Sequence, residues 1–178
     1  MKEPVPPEPD WPRYSTRPFP PYRFLPGHHP HPRRSPQGHS YGLSEPRPPA
    51  CRPEDWPDSD WYHYGVDLFN FSYWWECHEV FEGFWHAAGH HTEQGRFFQG
   101  LIQVAAANLK WFLGKPAPAM NLARSALVRL QTVPQVYMGL NVAAFIESIG
   151  VKVGRSGQTP VLIRLIFPSL PPKRSSMI

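Results

Sequence analysis

Prolines divide this chain in two. Of its 24 prolines, 17 fall within the first 57 residues. Proline fixes φ and lacks a backbone N–H, so this stretch can build neither a helix interior nor a central strand. A packed core must therefore begin near Trp56. Residues 1–56 read as an extended proline-rich arm, 57–150 as a folded domain and 151–178 as an extended basic tail. Trp11, Tyr14, Phe19, Tyr22, Phe24 and Tyr41 are spaced through the arm, together with His28, His29, His31 and His39. A free linker has few large aromatics. The rings suggest a partly polyproline-like segment lying along the body from Tyr22 to Tyr41. A disordered tail is the other reading.

Charge follows the same division. Residues 1–56 carry 8 Lys/Arg against 6 Asp/Glu, residues 57–150 carry 5 against 8, and residues 151–178 carry 5 against none. The net charge of +4 thus sits at the ends, over a mildly acidic core. A nucleic-acid binder gathers Lys and Arg on one folded face, so this distribution argues against nucleic acid. The expected partner is a small molecule, another protein or a second copy of the chain. Cys51 and Cys77 form neither a metal-type spacing nor a disulfide framework. The N-terminal residues lack the apolar stretch of a secretory signal. No run reaches the ~20 apolar residues of a membrane span; the longest, Leu101 to Leu113, is broken by Gln103, Asn108 and Lys110. The expected location is the cytoplasm.

Periodicity then supplies the elements. Helix one is expected over Asp58–Asn70, with Trp61, Tyr64, Leu68 and Phe71 on one face and a break over Asn70–Ser72. Helix two is expected over Ser72–Ala88, where Trp74, Cys77, Phe81, Phe84, Trp85 and Ala88 make an apolar stripe that ends at Gly89. Helix three, Glu93–Leu113, has Thr92 as its N-cap. Its apolar residues lie nearly all round, the pattern of a helix buried on most sides. Helix four is expected over Pro118–Leu130 and a short fifth helix over Val142–Ser148, capped by Asn141 and stopped at Gly150. Val161–Phe167 suits a short extended strand docked on the helices. The fold class is all-α: an antiparallel bundle of four to five helices, the third buried at its centre, plus the arm.

The chemistry-bearing residues concentrate on helix two, in Glu76, His78, Glu79 and Glu82. His78 and Glu82 are four apart, so they point the same way from adjacent turns. They lie about 40° and 80° from Trp74 around the helix, at the edge of the apolar stripe. An imidazole and a carboxylate held this way can share a metal ion, or act as a base and its partner. Equally, they can be an ion pair that satisfies two polar groups between helices. The string also approaches the zinc-protease pattern H-E-x-x-H, with Glu82 in place of the second His and Glu79 in the position of the base. Gln99 and Gln103 form the one polar strip of helix three, facing either the polar edge of helix two or solvent. Asn70, at the first break, is placed to join them.

Other histidines suggest plainer roles. His63 and Asp67, four apart and opposite the apolar face of helix one, read as a solvated face. His86, His90 and His91 cluster where helix two ends, which its dipole favours. His31 or His39 would supply a further ligand if the arm folds over the bundle.

The string His78-x-x-x-Glu82-x-x-Trp85, the preceding Leu68-Phe69-Asn70, the run YWWECHE and the segment QGLIQVAAA from Gln99 resemble the family catalogued as domain of unknown function 309, in order and spacing along residues 61–130. The resemblance implies a small helical protein whose His-x-x-x-Glu motif is a suspected metal site with no agreed reaction. It singles out His78, Glu82 and Trp85, with Asn70, Glu79, Gln99 and Gln103 as near neighbours. Asn108 departs from it, standing where a histidine is expected. The expectation is a protein that holds a divalent metal through His78 and Glu82. Glu79 would be the catalytic base or a third ligand, the remaining residues would line the site, and the activity would be hydrolase-type. The alternative is a non-catalytic binding or scaffolding module working through the aromatic arm and the helical surface.

Overall fold

A computed structural model describes Pro4, residues 11–155 and residues 160–168. A 3-10 turn over Pro53–Asp58 leads into five α-helices: α1 (Asp60–Asn70), α2 (Trp74–Ala88), α3 (Glu93–Phe112), α4 (Pro116–Leu130) and α5 (Val142–Arg155). Short connections make the first four an antiparallel bundle. The central α3 packs against both α2 and α4, and its Phe97, Phe98, Leu101, Val104 and Ala105 are sealed from solvent. Phe98 stacks on Phe84 of α2 with ring centroids 4.9 Å apart. Two glycines permit close approach: a Cβ at Gly65 would meet the Phe81 ring at 2.5 Å, and one at Gly100 would meet Leu130 at 2.7 Å.

Local chemistry sets the helix ends. The Ser59 side chain accepts from the Tyr62 N–H at the start of α1. Thr92 accepts from Gly95 N–H at 2.9 Å at the start of α3. Asn141 accepts from Ala144 N–H at 3.0 Å at the start of α5. These side chains satisfy backbone donors that a helix leaves open. Between α1 and α2, Ser72 takes φ +68°, which lets Tyr73 N–H return to Leu68 O at 2.8 Å. That turn, with the 3-10 winding of Pro53–Asp58, starts α1 and α2 two residues later than periodicity suggests.

A hairpin absent from the sequence reading separates α4 from α5. Its strands β1 (Val136–Tyr137) and β2 (Leu140–Asn141) pair antiparallel, Val136 opposite Asn141 and Tyr137 opposite Leu140. Met138 and Gly139 both have positive φ, as a two-residue hairpin turn of this twist requires. The Tyr62 hydroxyl donates to Met138 O at 2.9 Å and ties the turn to α1. Next, α5 runs past its expected stop at Gly150 to Arg155. Gly150 is exposed, where a helical glycine costs only about 1 kcal/mol. The buried Ile149 and Lys152 carry the packed face across it. Residues 151–155 of the expected tail are therefore helix, and residues 156–159 and 169–178 lie outside the described residues.

Residues 160–168 run extended along the bundle, as the apolar VLIRLIF pattern suggests. Two buried asparagines hold them. Asn70 Nδ2 donates to Ile163 O at 2.8 Å while its Oδ1 accepts from Ile163 N–H at 2.7 Å. Asn108 repeats the arrangement on Val161, at 3.2 and 3.3 Å. Each amide replaces one rung of a strand ladder, and the period of two turns Val161, Ile163 and Leu165 inward.

The arm docks along its whole described length, from Trp11 rather than from Tyr22. Arg164 lies over the Trp11 ring at 4.6 Å, and Phe19 stacks on Tyr73 at 4.7 Å. The central attachment is Asp67, fully buried on α1. Its carboxylate accepts from Arg13 Nε, Tyr14 N–H and Ser15 N–H, each at 2.9 Å. His63 is buried beside it. The expectation that His63 and Asp67 face solvent is thus overturned. The arm covers the side of α1 that the bundle leaves open. The same cover reassigns the α1 faces: Tyr62, Val66 and Phe69 are sealed in the core, and Trp61 and Tyr64 meet the arm through Arg17 and Pro18.

Asp67→Ala leaves two backbone donors and Arg13 without their acceptor. We expect a loss of about 2–4 kcal/mol in urea unfolding, with faster tryptic cleavage after Arg13 and Arg17. A second outcome concerns pH. Burial holds the His63 imidazole below its ordinary 6.5, against the pull of Asp60 and Asp67. The neutral form is favoured in the folded state, so this contribution is present above about 6.5 and is lost as pH falls through the lowered folded value. His63→Gln should therefore flatten the fall in stability between about pH 7 and 5, measured as urea midpoints.

Candidate functional site

Helix α2 divides its residues by face. Trp74, Cys77, Phe81 and Phe84 are buried in the core. Burial pushes the Cys77 thiol well above its usual range, which keeps it an inert apolar group. On another side, His78, Glu79 and Glu82 bring one ligand atom each within 4.8 Å of one another, all three half-buried. His78 Nδ1 stands 3.7 Å from Glu79 Oε1 and 3.8 Å from Glu82 Oε2. These separations are too long for hydrogen bonds. Nδ1 is shielded from solvent and has no hydrogen-bond partner among the described residues.

Charge at this cluster is partly balanced from the arm. Arg33 Nε donates to Glu79 Oε2 at 2.5 Å, and its other nitrogens reach the Leu43 and Ser44 carbonyls. Burial alone would raise the Glu79 carboxyl; the His78 imidazole and the Arg33 guanidinium outweigh it and hold that carboxyl low. The His78 imidazole is raised in turn, by Glu79 first and against its own burial, with Glu82 adding to the pull. His78 and Glu79 thus each favour the charged form, and the cluster suits a cation in its midst, a proton on His78 being the simplest.

Two metal–ligand bonds of about 2.1 Å at a tetrahedral angle put their ligand atoms about 3.4 Å apart. The observed 3.7 and 3.8 Å lie a few tenths of an ångström away, within the reach of rotamer adjustment. The donor set is one imidazole and two carboxylates, which suits zinc, manganese or iron(II).

Asn70 and Gln99, of the remaining predicted residues, are engaged elsewhere. The amide of Asn70 is taken up by Ile163, and that of Asn108 by Val161. Gln99 accepts from Arg129 Nε of α4 at 2.6 Å, so its oxygen is held by α4 rather than by α2. Gln103 Oε1 is buried without a partner. Trp85 stacks on His90 with ring centroids 4.0 Å apart, and its Nε1 also lacks a partner. Trp85 and Gln99 line one cavity, which none of His78, Glu79 and Glu82 lines.

Two contacts reach α2 from far along the chain, and a third joins side chains one turn apart at its end. Arg33 reaches Glu79 across 46 positions of chain, beyond any local spacing rule. Glu76, which belongs to the same motif, accepts from Phe24 N–H at 2.8 Å and pairs with His39 Nε2 at 3.1 Å, both on Oε1. His39 thus reaches α2 at Glu76, outside the three-residue cluster. Finally, His86 links the acidic cluster to the far end of the helix: its Nε2 is 4.0 Å from Glu82 Oε1 and its Nδ1 is 3.0 Å from His90 Nε2. No helix among the described residues is long and apolar enough to cross a membrane.

Arg33→Met should strand the inner Glu79 oxygen and loosen the loop that Arg33 anchors. The expected loss is about 1–3 kcal/mol, with faster amide exchange at residues 35–44. Unchanged exchange there would mean that the ion pair does not hold the loop.

A family profile described as domain of unknown function (DUF309) matches residues 62–122, which run from α1 into α4 and include all of α2 and α3. Over that stretch the chain resembles the family. No curated protein matches the chain.

Proposed function

We propose that His78, Glu79 and Glu82 bind one divalent metal ion, and that the site serves a hydrolytic reaction. The observation that carries this reading is the convergence of three donors within 4.8 Å around a buried imidazole nitrogen that has no hydrogen-bond partner among the described residues. Native proteins rarely leave such an atom unsatisfied. The resemblance to a family of unknown function is compatible with this reading and supplies no reaction for it.

The residues divide the work by their surroundings. His78 offers Nδ1, and Glu82 offers a carboxylate with no arginine on it. Glu79 is better suited as a third ligand than as a base: Arg33 occupies one of its oxygens, and its lowered carboxyl pKa weakens it as a proton acceptor near neutral pH. Arg33 then acts as an orienting outer partner for a ligand carboxylate, the usual role of such groups. Three protein donors leave coordination positions open, and a divalent ion there would activate water for attack.

The scaffolding alternative draws less support. The arm's Phe19 and Phe24 rings are taken up in packing on Tyr73 and Trp75 of the chain's own body.

The test is metal uptake. Chelator-stripped protein should take up one equivalent of zinc, manganese or iron(II) by calorimetry. His78→Ala and Glu82→Gln should weaken uptake by more than roughly 100-fold, since even an outer partner's loss costs 10–100-fold. A stripped wild type that takes up none of the three metals would sink the reading and leave an electrostatic cluster.

A further inference from the structure

On the other side of Trp85 lies a second site of opposite character. A cavity of about 510 Å³ opens between the end of α2, the loop after it, the first turns of α3 and the end of α4. That volume falls within the roughly 300–1,000 Å³ of small-molecule sites. Trp85, His90, His91, Arg96, Gln99 and Arg129 line it, and among the described residues no carboxylate does.

The polar groups here are overwhelmingly donors. Arg96 Nη1 donates to His91 O at 2.7 Å, while its Nε is buried with no partner. Trp85 Nε1, a donor only, is likewise buried and unpartnered. Arg129 gives Nε to Gln99 and Nη1 to Ser125 O. A guanidinium has no acceptor, so Gln99 must turn its oxygen to Arg129, and its other end is an NH2 donor. The Thr132 hydroxyl donates to Arg129 O at 2.8 Å. Among the described residues neither arginine pairs with a carboxylate. Two uncompensated guanidinium charges thus face a cavity whose nearest acceptors are already engaged.

We infer that this cavity binds the phosphate group of a small phosphorylated molecule, with Arg96 and Arg129 supplying charge and Trp85 Nε1 a directional hydrogen bond. Planar guanidinium forks match the tetrahedral face of a phosphate. The inference does not depend on metal at His78, because no residue of that cluster lines this cavity.

The experiment follows the Trp85 indole N–H by ¹H–¹⁵N NMR, assigned with Trp85→Phe, in chelator-treated protein at constant ionic strength. Inorganic phosphate and phenyl phosphate should each shift it saturably, and chloride should not. Val128 lines the cavity and is 65 % exposed, so Val128→Glu adds an opposing charge with no cost to folding. It should weaken phosphate binding roughly fivefold, the scale of one unit charge near a surface. Arg96→Gln should weaken it roughly tenfold or more. A shift that fails to saturate, or that chloride reproduces, or that both variants leave unchanged, overturns the inference. Tighter binding of a short single-stranded oligonucleotide than of phenyl phosphate would overturn the small-molecule assignment. His78→Ala should leave this binding intact, which separates it from the metal reading.

Discussion

Acidic side chains of α1 and α2 hold the N-terminal arm, and the rest of the architecture is arranged around that attachment. Asp67 takes three donors from residues 13–15. Asp60 takes Ser15 and Arg17, Glu76 takes Phe24 and His39, and Glu79 takes Arg33. The acidic balance of the helical core and the basic balance of the arm are two halves of one intramolecular match. A proline-rich chain cannot satisfy its backbone with a ladder of its own, so the body must supply acceptors. The C-terminal segment is held by the converse device, two asparagine amides that each satisfy both backbone groups of one residue.

That arrangement explains what the sequence disclosed and what it hid. Helices α1 to α4 were legible because apolar residues recur at helical spacing and because Thr92, Gly89 and Gly114 punctuate them. The burial of His63 and Asp67 was not. A helical stripe identifies the face turned to the bundle, and it presumes that the opposite face meets water. Here the opposite face meets the arm, and nothing in the α1 sequence announces a cover arriving from 52 or more positions away. The hairpin at Val136–Asn141 was hidden for a different reason. Its turn is Met138-Gly139, and methionine is not a residue that signals positive φ. Gly150 was over-read: a glycine on an exposed helix face weakens a helix without ending it.

At the candidate site, the i, i+4 rule brought His78 and Glu82 to one side of α2 directly, and Glu79 followed from adjacency. Spacing could not assign Arg33, and it grouped residues that the fold separates. Asn70 and Asn108 belong to the docking of the C-terminal segment. Trp85 and Gln99 belong to the donor-lined cavity. The His-x-x-x-Glu-x-x-Trp string therefore spans two environments, acceptor-rich toward its start and donor-rich toward its end. Glu76 stands in the first turn of α2 and His86 in its last, the placement the helix dipole favours.

The unpartnered atoms weigh these environments against each other. Several buried polar atoms without partners lie under the arm, among them Trp11 Nε1, His63 Nε2 and Glu76 Oε2. Ordered water meets such needs in most proteins. His78 Nδ1 differs, since its nearest polar neighbours are two carboxylates just beyond bonding distance. With the imidazole hydrogen on Nε2, a water between them would have to donate to Nδ1 and to both carboxylates, one donation more than its two hydrogens allow. A proton on Nδ1 or a metal ion satisfies all three at once. The raised imidazole pKa reflects the proton, and the metal is its competitor for the same lone pair.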